Sequence, residues 1–175
     1  MTNDTIAMIA FPASTLTIGL ICSIITKPQI KSWYDKLIKP NFVPPNWVFA
    51  PVWTIIYILI GISGYLIWKD DPIFFEGKNL LACVVYFIQL FLNYSFVFVF
   101  FSFHWMLWSF IQNLILVSII VVTILLFSKI NEESALLLLP YFIWGLISTY
   151  FTFKIWRLND RNPSAGAELQ ILNDP

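Results

Sequence analysis

The sequence predicts an all-α integral membrane protein, a bundle of five transmembrane helices, and three observations carry that prediction. Of 175 residues, 59% are hydrophobic and only 11% charged, against roughly 45–50% and 25% in soluble domains. Mean hydropathy is +0.78. Several uncharged runs exceed the ~18 residues that one membrane crossing needs. No hydrophilic block is long enough to fold separately, so residues 1–159 read as one five-helix domain and 160–175 as a polar C-terminal tail.

The first span, 6–26, holds no charge, and the preceding residues carry no Lys or Arg, unlike a signal peptide. Thr15, Gly19 and Ser23 recur every four residues and let another helix approach closely. An intramolecular helix contact is the simpler use of that face, ahead of a dimer seam. Residues 27–45 read as a loop. Asp35, Lys36 and Lys39 are polar, Pro40, Pro44 and Pro45 break regular helix, and residues before prolines are pushed toward extended backbone. A loop this aromatic and proline-locked at a membrane surface suits a lid.

The second span is 47–68. Pro45 suits the first helical turn, Pro51 predicts a kink near the Trp47 carbonyl, and Gly61 and Gly64 thin the second half. Residues 69–79 form a polar connection. From Asn79 to Ser128 no Asp, Glu, Lys or Arg occurs. At about 1.5 Å per residue that stretch is too long for one crossing of a ~30 Å core. It therefore turns back, most readily at Ser102–Trp105, giving a third span at 80–101 and a fourth at 105–127. His104, the only histidine, falls in that turn as an interfacial residue rather than a ligand. Residues 128–134 are a polar turn, and the fifth span is 135–156, with Pro140 near its start.

Five crossings place the two ends on opposite sides. Lys27, Lys31, Lys36, Lys39, Lys154, Arg157 and Arg161 share one side, and Lys69, Lys78 and Lys129 the other. The positive-inside rule then puts the 27–45 loop and the C-terminus in the cytoplasm and the N-terminus outside. With no transit peptide visible, the membrane expected is the bacterial inner membrane.

Several function classes drop out. Cys22 and Cys83 stand alone in different runs, so no metal site or disulfide framework is expected. Zero net charge argues against nucleic acid as a partner. No span interior holds a carboxylate or ammonium, which disfavours ion-coupled transport and leaves no hydrolase-type acid, base or nucleophile pair. Amide, hydroxyl and indole groups remain. Tyr86, Gln89, Asn93, Phe96 and Phe100 line one face of the third span. Trp53 and Tyr57 are one turn apart on the second, and Pro140, Trp144, Ser148 and Thr152 share a face of the fifth. If these stripes converge, they wall an apolar, aromatic cavity with few hydrogen-bonding groups, suited to a flat hydrophobic ligand. Gln112 and Asn113 read as interhelical hydrogen-bonding residues rather than ligand contacts.

The chain resembles the translocator protein family, also called tryptophan-rich sensory proteins or peripheral benzodiazepine receptors, over residues 8–159. The resemblance rests on Trp33-Tyr34, Leu37, Lys39-Pro40, Pro44-Pro45, Trp47-Val48-Phe49, Pro51, Trp53-Thr54 and Tyr57. It continues through Gln89-Leu90, Asn93, Phe100-Phe101, Pro140-Tyr141, Trp144 and Leu158-Asn159. It implies a five-helix bundle, often a homodimer, that binds porphyrins such as protoporphyrin IX and haem as ligands rather than cofactors, and in animals sterols. It also implies a pocket beneath the first loop, with Trp33, Asp35, Trp53, Tyr57, Asn93 and Trp144 carried over as contacts beside Gln89, Phe96 and Ser148 from the stripes.

In some bacterial members the tryptophans matching Trp53 and Trp144 are needed for light-driven breakdown of protoporphyrin IX, so these two carry a candidate redox role. The expected pose sets a ring between Trp53, Trp144 and the Asn93 face, its acidic edge toward Lys36 or Lys39. Phe96, Thr152 and Asn41 depart from a tryptophan, an asparagine and an aromatic common in the family, which bears on ligand identity. Leu146, Tyr150 and Lys154 match a loose sterol-contact pattern, and sterol or lipid binding or transport is the alternative function.

Overall fold

A computed structural model describes residues 3–70 and 79–160. Its elements in chain order are α1 (Asn3–Ser32), a 3₁₀ turn (Tyr34–Lys36), α2 (Asn46–Asp70) and α3 (Leu80–Val97), which runs into a π-helical turn (Phe98–Ser102). Then follow α4 (Met106–Phe127), α5 (Glu132–Leu137) and α6 (Leu139–Asp160). Among the described residues, five helical segments are long and apolar enough to cross a membrane, the fifth being α5 and α6 together. The chain is an integral membrane protein with the all-α, five-span architecture expected. Most of the 69–79 connection and the tail after residue 160 lie outside the described residues.

Three boundaries differ from expectation, each for a local reason. First, α1 does not stop at residue 26 but continues through Pro28 to Ser32, and it also contains Pro12. Proline is tolerated in a membrane helix where nearby hydroxyls and neighbouring helices take up the disturbed backbone. The Thr26 and Ser32 hydroxyls donate to the Cys22 and Pro28 carbonyls on either side of the proline, at 3.1 and 3.0 Å, while the carbonyl that Pro28 leaves without its N–H is that of Ile24. Second, regular α-helix in the third span ends at Val97 and gives way to the wider π turn. His104 then adopts φ 58° and reverses the chain. Third, the fifth helical segment begins at Glu132 rather than 135. Asn131 caps it, its side chain accepting from the Ser134 N–H at 2.8 Å, and two glutamates occupy the first turn, where the helix dipole favours them. The helix is interrupted at Leu138, which places Pro140 in the first turn of α6, where a missing N–H costs little.

Small residues set the helix spacing. A methyl added at Gly61 would overlap the Pro12 backbone, and one at Gly19 would overlap the Tyr57 ring. The Thr15 hydroxyl also donates to the Tyr57 carbonyl at 2.8 Å. The Thr15 and Gly19 part of the small-residue face of α1 is therefore an intramolecular seam with α2, while Ser23 stays exposed. Ser63 and Ser134 each donate to the other's carbonyl, at 2.9 and 2.8 Å, and pin α5 to α2 in a buried position. Contacts between ends agree with the alternating crossings. Trp33 meets His104, and Ile38 meets Asn159, at one end; Asp4 meets Tyr65, and Asp70 meets Asn131, at the other.

Candidate functional site

The two helices joined by the Gly61–Pro12 seam separate toward the loop at 33–45, and a cavity of about 480 Å³ occupies the space between α1, α2, α3, α4 and α6. That volume is within the few-hundred-Å³ range of small-molecule sites. The three stripes converge on it: Trp53 and Tyr57 from α2, Asn93 and Phe96 from α3, Trp144 and Ser148 from α6. Trp53 and Trp144 meet nearly perpendicular, 6.4 Å between ring centroids. Trp53 stacks on Tyr57 at 5.4 Å, and Phe49 packs edge-on to Trp144 at 5.6 Å. Stacked and edge-to-face rings hold each other in fixed orientation, so this wall is preorganised.

Polar groups at the base are tied together. The Tyr57 hydroxyl donates to Asn93 Oδ1, and Asn93 Nδ2 donates to the Tyr141 hydroxyl oxygen, both at 3.0 Å. One amide thus links α2, α3 and α6. Asn113 of α4 donates to the Ser148 and Thr152 hydroxyls at 3.2 and 2.9 Å. It is the interhelical hydrogen-bonding residue expected, and it also lines the cavity. Gln112 bonds only outside the wall, to the Leu92 carbonyl and the Ser95 hydroxyl, both at 2.8 Å. The indole N–H of Trp144 is buried without a protein acceptor, leaving one donor in the wall uncommitted.

Three of the candidate residues stand outside the wall. Trp33 lies behind it, stacked on His104 at 4.1 Å and edge-on to Phe100 at 5.2 Å. It buttresses Phe100, which does line the space, while its neighbour Tyr34 takes the lining position. Gln89 lies deeper than the cavity, fully buried, with neither amide atom hydrogen-bonded. Asp35 sits at the rim, accepting from Asn46 Nδ2 at 3.0 Å and pairing with Lys39 at 3.2 Å. The Asn46 amide, together with Lys39 and Lys31, holds its carboxyl below the ordinary value, and burial followed by the Asp35 charge pushes the Tyr34 phenol up to about 12.

The loop is fastened over this end from the opposite side of the bundle. Asn159 accepts from the Ile38 N–H at 3.0 Å and donates to the Ile38 and Ile155 carbonyls at 3.0 and 2.7 Å. The contribution of α1 to the wall was not expected from sequence: Leu16, Gly19, Cys22, Ser23, Thr26, Lys27 and Ile30 all line the space. The Leu146–Tyr150–Lys154 pattern lies elsewhere. Tyr150 is 46% exposed on the outer face of α6, with the Lys154 ammonium 5.7 Å above its ring. Among the described residues no cluster of metal-ligating side chains occurs.

A model of the TspO/MBR family matches residues 10–157. The chain is 34% identical over 152 residues to the tryptophan-rich protein TspO of Archaeoglobus fulgidus, covering 87% of this chain and 96% of that one. It is 34% identical to the protein of the same name in Chlorobaculum tepidum, over 82% of this chain and 90% of its relative. It is also 33% identical to the human translocator protein, over 73% and 75% of the two chains.

Proposed function

The chain belongs to the TspO/MBR family, and on that premise we propose that it is a receptor-like membrane protein binding porphyrins, such as protoporphyrin IX or haem, in the cavity beneath the loop at 33–45. One observation carries this reading: Trp53 and Trp144, from separate spans, meet edge to face and together wall one corner of a shared apolar space, so a ring stacks against the pair rather than between its members. A flat macrocycle buries its faces against such rings, and the cavity's bound hydroxyls and amides ask few hydrogen bonds of it. The free Trp144 indole N–H suits an acceptor on the ligand edge. The excess of basic residues at the loop end supports a cytoplasmic orientation of that end, and a bacterial inner membrane and a homodimer complete the proposal.

Titration of purified protein in detergent with protoporphyrin IX, haem and a sterol tests the reading. Saturable quenching of intrinsic fluorescence by the porphyrins, not displaced by sterol, is the expected result. Sterol binding with no porphyrin response would favour the alternative function.

A second reading follows from the same pair of rings. Indoles are readily oxidised, so Trp53 and Trp144 beside a photoexcited porphyrin suit a light-driven oxidation with dioxygen as oxidant. Illumination of the complex in air should bleach the porphyrin and produce a new absorbing species. Intact pigment would refute it.

A further inference from the structure

We propose that Lys27 binds the anionic group of the ligand at the mouth of a lateral slot between α1 and α2, making the site selective for acids over their neutral esters. This rests on the ring-binding reading above and adds the chemistry of the ligand's edge.

The slot follows from how the two helices pack. They are in close contact through Gly61 with Pro12, Gly64 with Phe11 and Gly19 with Tyr57. Beyond Gly19 they part. On the two sides of the gap, Leu20, Ser23 and Lys27 of α1 and Asn46 and Ala50 of α2 all line the cavity and are all exposed. A residue that lines a cavity while facing outward borders an opening. In a membrane protein an opening between two spans faces lipid over most of its length, so an amphipathic ring can enter it from the bilayer.

Lys27 is the only charged side chain in that wall among the described residues. No ion pair engages it; the one pair found there joins Lys39 to Asp35. Asp35, the nearest rim carboxylate along the chain, already accepts from Asn46 and Lys39. The neighbouring hydroxyls are occupied as donors, Ser23 to the Leu20 carbonyl at 2.6 Å and Thr26 to the Cys22 carbonyl at 3.1 Å. Lys27 is thus the cation at the mouth with donors to spare. Its depth is also suitable. A 30-residue helix spans about 45 Å, longer than a ~30 Å hydrocarbon core, and Lys27 lies in its final turns. Its apolar stem can follow the slot while the ammonium reaches headgroup level. There an ion pair forms without the desolvation cost of the bilayer centre. Lys36 and Lys39, the residues expected from sequence to meet the acidic edge, are not in the wall.

The test compares protoporphyrin IX, a diacid, with its dimethyl ester, titrated into wild type, Lys27→Gln, Lys27→Arg and Lys31→Gln in a neutral detergent. The expected result is a five- to tenfold weaker affinity of Lys27→Gln for the diacid, with the ester within twofold of wild type. Lys27→Arg should retain the preference and Lys31→Gln should leave both affinities unchanged. Added salt should narrow the wild-type difference between diacid and ester. An unchanged diacid affinity in Lys27→Gln, or an equal loss for both ligands, would overturn the assignment of Lys27. Wild type binding neither ligand would instead overturn the ring-binding reading, and the Lys27 proposal with it.

Discussion

Replacing Asn93 by Leu removes the amide that joins three spans at the base of the cavity. Asn93 is 4% exposed, and its two bonds, from Tyr57 and to Tyr141, are each 3.0 Å. An interhelical hydrogen bond in a membrane averages about 0.6 kcal/mol, so the pair contributes about 1.2 kcal/mol. Stranding the buried Tyr57 and Tyr141 hydroxyls adds about 1 kcal/mol each, for a total near 3 kcal/mol. At roughly 2–4 °C per kcal/mol for a chain of this size, Asn93→Leu should lower Tm in detergent by about 6–12 °C. Tyr57→Phe removes one bond and should cost about half as much. The double variant should cost less than the sum of the singles, because both remove the same contact. Melting of Asn93→Leu at the wild-type temperature, or strict additivity in the double variant, would refute the linkage.

Other expectations follow from the same geometry. Gln89→Met keeps the volume and removes an unpaired buried amide, so stability should hold or rise by about 1 kcal/mol and porphyrin affinity should not change; a loss of affinity would return Gln89 to the ligand contacts. Asn159→Ala deletes the two hydrogen bonds that hold the loop at Ile38, and backbone exchange at residues 37–39 should accelerate about tenfold or more; unchanged protection would show that the loop is held by other contacts. Gly61→Leu forces a side chain into the Pro12 backbone and should destabilise by about 1–3 kcal/mol or more, read as reduced Tm. Asp35 has a lowered folded-state pKa, so its contribution to holding the rim is present above its ordinary value of 3.8 and is lost as pH falls through the depressed one. Loop protection should therefore be flat from about pH 8 to about pH 5 and weaken only at strongly acid pH; a transition near neutrality would contradict this.

The bundle was legible in the sequence because uncharged run length and membrane thickness leave few alternatives. The cavity faces on α2, α3 and α6 were legible because polar and aromatic residues at three- and four-residue spacing stand out on otherwise aliphatic helices. Periodicity identifies a face, however, and not a depth. Gln89 and Asn93 share a stripe, yet only Asn93 reaches the cavity. The role of α1 was hidden for a different reason: it is apolar on every side, and its wall residues, such as Leu16 and Cys22, resemble its lipid-facing ones. Its passage through Pro28 contradicts the rule for soluble helices and depends on the membrane setting. Asn113 hydrogen-bonds between helices and lines the cavity at once, a combination that spacing alone does not separate.

Where the ligand rests is the most direct question. A photoreactive porphyrin, cross-linked to the protein in detergent and mapped by mass spectrometry, should label residues around 46–57, 93–101 and 144–155, with labelling suppressed by excess protoporphyrin IX. Labelling confined to lipid-facing positions such as Phe91 and Trp108, which are 71% and 60% exposed, and insensitive to that competitor, would contradict a shared aromatic cavity as the binding site.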